Sequence, residues 1–217
     1  MAQEMLLIKN NNITKIFKLL FLIIFLFYQD VYASKNFNYF KFIKEMNSFS
    51  TSFVQNTYDE NGLLITTSNG SLIYKKKSKY ILEYKSPNKI KFISDGQLIT
   101  IYDQDLEQVI IRSVKKSLNN NIIDIFTNEK LINDKFELKI FFKNNENHIN
   151  FLPINKDIKK SDFLLVVSNN MIKSISFVND FDQSVIMNFN GFEINVSILE
   201  SQFKIDIPES FDVIIDK

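Results

Sequence analysis

The sequence predicts a mainly β domain with a few short α-helices, in which the strands form an antiparallel sheet. About eleven runs with the strand pattern follow one another, and the loops between most of them are too short for parallel crossovers. Residues 89–94 and 97–102 form two of these runs and flank Asp95-Gly96, the kind of dipeptide that most strongly favours a hairpin. An apolar N-terminal segment indicates that the domain is exported.

The first 33 residues have the pattern of a secretory signal peptide. Lys9, Lys15 and Lys18 precede nine uninterrupted apolar residues at 19–27, and Val31-Tyr32-Ala33 has small residues where a signal peptidase reads the chain. A membrane anchor is the alternative, but so short a run spans only about half of a hydrocarbon core that is roughly 30 Å thick. We therefore expect cleavage after Ala33, which leaves residues 34–217 as one domain.

Charge and cysteine content exclude several classes of protein. The chain has 26 Lys and Arg against 25 Asp and Glu, so no excess of positive charge attracts nucleic acid. Arg112 is the only arginine, which disfavours bidentate phosphate recognition, and the lysines at 75–77 fit a solvated strand end. The absence of cysteine excludes a disulfide framework and a lipid-modified N-terminal cysteine.

An amphipathic helix is predicted over residues 37–47, before the first strand. Its apolar residues recur at three-residue steps, as Phe37, Phe40, Ile43 and Met46. Residues 49–58 change to the alternation of a strand, and residues 59–62 end in glycine, which predicts a hairpin into residues 63–67.

The sheet is predicted to continue to the C-terminal end, with one helical interruption. A lone glycine in Asn69-Gly70 predicts a β-bulge, and strands follow at residues 71–76 and 79–85. After Arg112, a helical pattern falls on Leu118, Ile122, Ile125 and Phe126. Later strands are predicted at residues 135–142, 148–152, 163–168, 171–178, 184–189 and 192–198, with tight turns at Asn169-Asn170 and Asn190-Gly191.

The sequence contains no combination of residues typical of an active site. His148 is the only histidine, and a lone histidine on a strand is more often structural than a ligand or a base. With no cysteine and only one histidine, the chain has no residue set typical of a zinc or haem site and no Ser-His or Cys-His nucleophile pair. Asp103 and Asp105 lie in a turn that lacks the glycine of a calcium loop. We therefore predict no enzyme, no metal and no cofactor.

Several stretches carry a family resemblance. Ser94-Asp95-Gly96, Tyr102-Asp103, Leu106 and Gln108-Val109 form one motif. Phe53-Val54-Gln55 and the closing segment around Pro208 extend the similarity over nearly all of residues 34–217. In these residues the chain resembles the LolA family of outer-membrane lipoprotein carriers. Because it lacks cysteine, it resembles the soluble carrier rather than the LolB receptor, which shares the fold but is itself a lipoprotein.

The resemblance implies a strongly curved antiparallel sheet, an incomplete barrel closed by a helical lid over a hydrophobic cavity. The expected wall of the acyl-chain cavity consists of Phe53, Leu72, Tyr80, Leu82, Phe92 and Ile101. The expected underside of the lid consists of Phe40, Ile43, Ile122 and Phe126. Periodicity alone does not separate a cavity wall from an ordinary core, because both need apolar side chains that face inward.

Lys76 is the expected lid latch. Related carriers have an arginine on the strand after the bulge, and aligning from Gly70 puts Lys76 at that position. The family arginine holds backbone groups of the lid, and lysine keeps the charge but offers fewer simultaneous hydrogen bonds. The alternative reading of Lys76 is a solvated lysine at a strand end.

The function implied by the resemblance is that of a periplasmic chaperone. It would bind the acyl chains of lipoproteins released by an inner-membrane ABC transporter complex and deliver them to a LolB-like outer-membrane receptor. We expect a monomer with no nucleic-acid partner. The alternative is a periplasmic module of the same fold that senses lipids or lipoproteins without transporting them.

Overall fold

The computed structural model describes residues 37–114, 123, 126, 129–155 and 162–216. The predicted signal peptide, residues 1–33, and the predicted lid residue Ile122 lie outside the described residues. Phe37–Lys217 forms one compact unit.

The described residues contain two α-helices and twelve strands. The helices are α1 (Tyr39–Glu45) and α2 (Glu129–Lys135), and a 3-10 helix covers Glu200–Phe203. The first six strands are β1 (Ser48–Tyr58), β2 (Leu64–Lys75), β3 (Lys79–Ser86), β4 (Ile90–Asp95), β5 (Leu98–Asp103) and β6 (Gln108–Ser113). The other six are β7 (Phe136–Lys143), β8 (Glu146–Pro153), β9 (Phe163–Ser168), β10 (Met171–Val178), β11 (Ser184–Ile194) and β12 (Asp212–Asp216).

All twelve strands belong to one sheet, in the order β12-β6-β5-β4-β3-β2-β1-β11-β10-β9-β8-β7. Neighbours pair in antiparallel fashion except β12, which adds to β6 in parallel. The pairing of β1 with β11 joins the first strand to a strand more than a hundred residues later. Because β12 and β7 lie at opposite ends of this order and do not pair, the sheet is an incomplete barrel. The predicted fold class is confirmed.

Local signals identified the turns at Asp95-Gly96 and Asn169-Asn170 and the bulge at Gly70, but a third predicted turn is wrong. Asp95-Gly96 joins β4 to β5, with Gly96 at a φ of 95° and Asp95 Oδ1 accepting from the backbone of Leu98 at 2.8 Å. The register against β3 shifts between Asn69 and Gly70, which confirms the bulge. Asn190-Gly191 is not a turn, because β11 continues through it to pair with β1.

The two faces of the sheet carry separate apolar clusters. The larger cluster covers the inner face and includes Phe49, Phe53 and Leu72. The smaller one lies on the outer face, where Ile93 packs with Ile198 and Phe203 of the C-terminal segment. The 3-10 helix is fastened there by Glu200, whose carboxylate contacts the ammonium groups of Lys75 and Lys79.

We expect Glu200 to make stability depend on pH in the acid range. Hydrogen bonds from Lys75 and then Lys79 lower its pKa from 4.5 to about 2. Because this pKa is lowered in the folded protein, ionised Glu200 contributes its full stabilisation above pH 4.5 and loses it as the pH falls toward 2. The melting temperatures of the wild type and Glu200→Gln should therefore differ most above pH 4.5 and converge near pH 2. A difference that stays constant over this range would contradict the assignment.

Candidate functional site

A continuous apolar row crosses the inner face of four strands. Leu72 of β2 lies opposite Leu82 of β3, Leu82 lies opposite Phe92 of β4, and Phe92 lies opposite Ile101 of β5. Directly opposed residues have side chains on the same face of a sheet, within contact distance of each other. Leu72 is fully buried, whereas the other three are partly buried against the inner cluster.

Phe53 and Tyr80 complete the predicted wall, so all six residues lie on the inner face. Phe53 is buried opposite Gly70, and its ring lies 5.2 Å from that of Tyr84 in an edge-on contact. Tyr80 is buried opposite Tyr74. The alternation of these strands was sufficient to assign the face, but a role in acyl-chain binding remains a prediction.

Two buried hydroxyl groups of the inner face, those of Thr51 and Ser94, donate to backbone carbonyls. Thr51 Oγ1 donates to the carbonyl of Asn190 at 3.0 Å, and Ser94 Oγ donates to that of Ser78 at 2.8 Å. These groups therefore do not need a ligand. The face offers mainly hydrocarbon and aromatic surface to whatever covers it.

Helix α1 lies over the inner face, but it is rotated from the predicted orientation. Its buried residues are Tyr39 and Phe42, and Met46 is buried directly after its last residue. The Tyr39 ring meets that of Phe151 at 5.1 Å. Phe40 and Ile43 are only partly buried, at the flank of the same cluster. Spacing of three and four residues keeps one stripe of a helix buried, whereas repeated steps of three drift around it.

Phe126, another predicted lid residue among the described ones, packs deeply on the same face. It is 3% exposed, and its ring centre lies 5.6 Å from that of Phe49. The hydroxyl of Tyr74 donates to the carbonyl of Phe126 at 3.1 Å. Burial raises the pKa of Tyr74 to about 12, so this hydroxyl remains a donor at physiological pH.

Tyr74→Phe should therefore lower the stability of the fold. The substitution leaves the Phe126 carbonyl without its donor, and such a loss reduces the free energy of unfolding by about 1–3 kcal/mol. Tyr84→Phe is the control, because the Tyr84 hydroxyl donates to the side chain of Gln55, which can turn toward water. Urea denaturation of both variants measures the difference. Equal losses of unfolding free energy in the two variants would show that the bond to the Phe126 carbonyl stabilises the fold no more than the bond to Gln55 does.

Lys76 reaches the C-terminal end of α1. Its Nζ donates to the carbonyl of Lys44 at 2.6 Å and to Oδ1 of Asn47 at 2.7 Å. Lys76 follows the last residue of β2, and the next residue, Lys77, is exposed in the turn with a φ of 71°. A cation at a helix C-terminus meets unpaired carbonyls and the negative end of the helix dipole.

Asn195 also holds this end of α1, and sequence reasoning missed it. Its Oδ1 accepts from the backbone of Asn47 at 2.8 Å, and its Nδ2 donates to the carbonyl of Glu45 at 3.4 Å. The contact with Asn47 joins residues 148 positions apart. No local pattern could have indicated it.

The part of the chain that the structure describes has no group of three or more His, Cys, Asp or Glu side chains that could hold a metal ion. Nor is any helix in the described ranges both long enough and apolar enough to cross a membrane.

Comparison with known proteins assigns the fold and the family. A family model described as outer membrane lipoprotein carrier protein LolA matches residues 44–206. The chain belongs to the LolA family. The outer-membrane lipoprotein carrier protein of Hahella chejuensis is 25% identical over 175 residues, which cover 79% of this chain and 84% of that protein. The corresponding protein of Pseudomonas entomophila is 24% identical over 173 residues, with the same two coverages.

A solved structure supports the fold of this LolA family member. An uncharacterized conserved protein from Thermus thermophilus has a TM-score of 0.53 at 7% identity. The match covers 82% of this chain and 97% of that one. At this identity the likeness shows a shared fold and nothing about a ligand.

Proposed function

We propose that this protein is a periplasmic carrier that shields the acyl chains of lipoproteins while they cross between membranes. The observation that supports the proposal best is the apolar row from Leu72 to Ile101 on an inner face that a short helix covers. A family of named lipoprotein carriers supplies the cargo class. The predicted export signal ending at Ala33 supports a location in the periplasm.

The cargo makes such shielding necessary. A triacylated lipoprotein exposes roughly forty-five methylene groups, which at about 0.8 kcal/mol each amount to about 35 kcal/mol of unfavourable exposure. Free diffusion through water is therefore excluded. The carrier takes its cargo from an inner-membrane ABC transporter complex and gives it to a LolB-like receptor, and the transfer runs toward the partner with the higher affinity.

Release requires that α1 separate from the inner face. The helix has seven residues, and the hydrogen bonds that Lys76 and Asn195 donate to its C-terminal end are exposed to solvent. Opening exchanges these bonds for bonds to water, so each opposes opening only by its net contribution, about 1.5–3 kcal/mol where the donor is charged. Cargo chains then take the place of Tyr39 and Phe42 against the sheet.

Under this proposal the hydrogen bonds that Lys76 donates to the end of α1 set the rate of release. Lys76→Met removes two hydrogen bonds from a charged group, to Lys44 and Asn47. One such bond contributes about 1.5–3 kcal/mol, so release of a fluorescent triacylated lipopeptide should be about tenfold faster or more. Lys76→Arg, which restores the family residue, should slow release. Lys77→Arg is the matched control and should have no effect, since Lys77 is exposed in the adjacent turn. Equal rates for all three variants would remove Lys76 from the mechanism.

Transfer between proteins distinguishes a carrier from a sensor. Wild-type protein loaded with the fluorescent lipopeptide is mixed with the purified soluble domain of the receptor from the same bacterium. A carrier passes the lipopeptide on without free intermediate, and the rate depends on receptor concentration. A protein that binds the lipopeptide but never transfers it would fit the sensing role and contradict the carrier.

A further inference from the structure

The hairpin between β1 and β2 has a rigid turn at its tip. The backbone N–H of Asp59 donates to the carbonyl of Leu63 at 2.9 Å, and that of Gly62 donates to the carbonyl of Asp59 at 3.0 Å. Asp59 Oδ1 also accepts from the backbone of Asn61 and Leu63 at 2.9 and 2.8 Å. Gly62 supplies the positive φ, 80°, that closes the turn.

The hairpin between β10 and β11 repeats this turn atom for atom. Asn179 takes the role of Asp59, and its N–H donates to the carbonyl of Gln183 at 2.9 Å. Its Oδ1 accepts from the backbone of Phe181 and Gln183 at 3.0 Å each, and Asp182 has the positive φ, 62°. Residues 59–63 and 179–183 are therefore twin turns.

The twin turns lie side by side at one end of the sheet. Leu64, Tyr58, Ser184 and Val178 face one another in sequence across β2, β1, β11 and β10. Since adjacent strands are about 4.8 Å apart, the two hairpin tips are about 10 Å apart. They form one surface, called here the twin-turn surface, composed of residues 58–65 and 178–184.

Large apolar side chains are exposed on this surface, although the geometry of the turns does not require them. Phe181 is 81% exposed and Leu63 is 67% exposed, and Leu64 and Ile65 are more than half exposed. The turn itself does not require them, because its twin has Asn61 where Phe181 lies and Gln183 where Leu63 lies. A rigid, exposed group of apolar side chains is typical of an interaction site.

The charge of the twin-turn surface identifies the kind of partner. Its residues include four carboxylates, Asp59, Glu60, Asp180 and Asp182, and no lysine or arginine, although the whole chain has nearly equal numbers of both signs. Four negative charges oppose approach to a membrane that contains anionic lipid. They also oppose pairing of this surface with the same surface of a second copy.

We propose that the twin-turn surface docks a protein partner that has an apolar pocket bordered by lysine or arginine side chains. Phe181 and Leu63 enter the pocket, and the surrounding carboxylates orient the approach. This inference rests on the proposed function, because a carrier has to dock on the protein that loads it or unloads it. The surface lies at the end of β1 opposite to α1, so docking leaves the C-terminal end of α1 free to move.

The twin turns themselves supply the test variants. Phe181→Asn and Leu63→Gln give each turn the residue that its twin already accommodates, so folding should be unchanged. Leu106→Gln is the matched control, since Leu106 is 71% exposed in an acidic turn elsewhere. Lipopeptide-loaded protein is titrated by biolayer interferometry against the purified periplasmic domains of the releasing complex and against the soluble receptor domain.

The double variant should bind one of these two proteins at least tenfold more weakly, and Leu106→Gln should bind like the wild type. Asp180→Lys with Glu60→Lys should weaken the same complex, and the wild-type affinity should fall as salt is raised. Every variant should bind the lipopeptide as the wild type does, because the substitutions lie outside the inner face. If the wild type itself does not bind the lipopeptide, the carrier function is contradicted and the docking surface is not.

Four results would overturn the docking proposal. The first is equal binding by the wild type and the double variant, and the second is no binding by the wild type to either protein. The third is binding to vesicles of phosphatidylethanolamine and phosphatidylglycerol that Phe181→Asn abolishes, which would assign the surface to a membrane. The fourth is self-association in analytical ultracentrifugation that the same substitution removes.

Discussion

Leu82→Glu is expected to weaken binding of a triacylated lipopeptide by about a hundredfold or more. Leu82 lies in the middle of the apolar row, between Leu72 and Phe92, and its side chain is only partly buried. A carboxylate there would be covered by acyl chains, and leaving a charge unpaired in such surroundings costs about 3–5 kcal/mol. Each increment of about 1.36 kcal/mol is a factor of ten in affinity.

The controls separate this effect from damage to the fold. Leu82→Gln introduces a side chain of the same size as glutamate but without the charge, and it should bind the lipopeptide with intermediate affinity. Leu106→Glu adds the same charge to an exposed turn outside the inner face and should bind normally. Thermal melting of each variant is measured beside binding. Normal lipopeptide affinity in a folded Leu82→Glu protein would show that the acyl chains lie elsewhere.

Gly70→Ala is expected to destabilise the fold strongly, although it adds only one methyl group. A Cβ at this position would lie 2.0 Å from the carbonyl oxygen of Glu83 and 2.7 Å from Cζ of Phe53. The first contact is with backbone, so β3 would have to move away from β2. Overpacking typically costs about 1–3 kcal/mol and occasionally more. A contact with backbone puts Gly70→Ala at the upper end, about 3 kcal/mol, which is a large share of a typical stability of roughly 5–15 kcal/mol.

Gly62→Ala is the matched control for Gly70→Ala. A Cβ at Gly62 meets nothing within 4 Å, and only its φ of 80° opposes the substitution. That conformation costs about 1–2 kcal/mol for a residue with a side chain. Urea denaturation should therefore place Gly62→Ala between the wild type and Gly70→Ala. The reverse order would mean that β2 and β3 are not packed as described.

The inner face was predictable because its strands are joined by short turns. Alternation assigns a face to each residue of a strand, and the turn at Asp95-Gly96 fixes how β4 faces β5. Phe92 and Ile101 were therefore assigned to the same face, and the structure has them directly opposite each other. Leu72 and Leu82 follow by the same reasoning across the next hairpins.

Contacts between distant parts of the chain were not predictable. Asn190-Gly191 has the local signature of a turn, but pairing with β1 keeps β11 extended through it. Asn195 reaches α1 only because β11 is the neighbour of β1 in the sheet. The deeper burial of Tyr39 and Phe42 than of Phe40 and Ile43 likewise depends on how α1 lies against Phe151.

Lys76 illustrates what a family resemblance adds to physical reasoning. The local sequence alone was equally compatible with a solvated lysine, because lysines at strand ends are common. The family alignment selected it as a contact to the lid, and the structure has its ammonium group on the carbonyl of Lys44. Geometry now supports the contact, and the release experiment tests its role.

The central claim is that the inner face holds the acyl chains of lipoproteins in the cell. The most direct test is to purify the exported protein from the periplasm under native conditions and identify what is bound to it by mass spectrometry. The account predicts triacylated cysteine peptides from lipoproteins, and it predicts that Leu82→Glu loses them while remaining folded. Recovery of only free fatty acid or phospholipid, with no lipoprotein at any expression level, would contradict it.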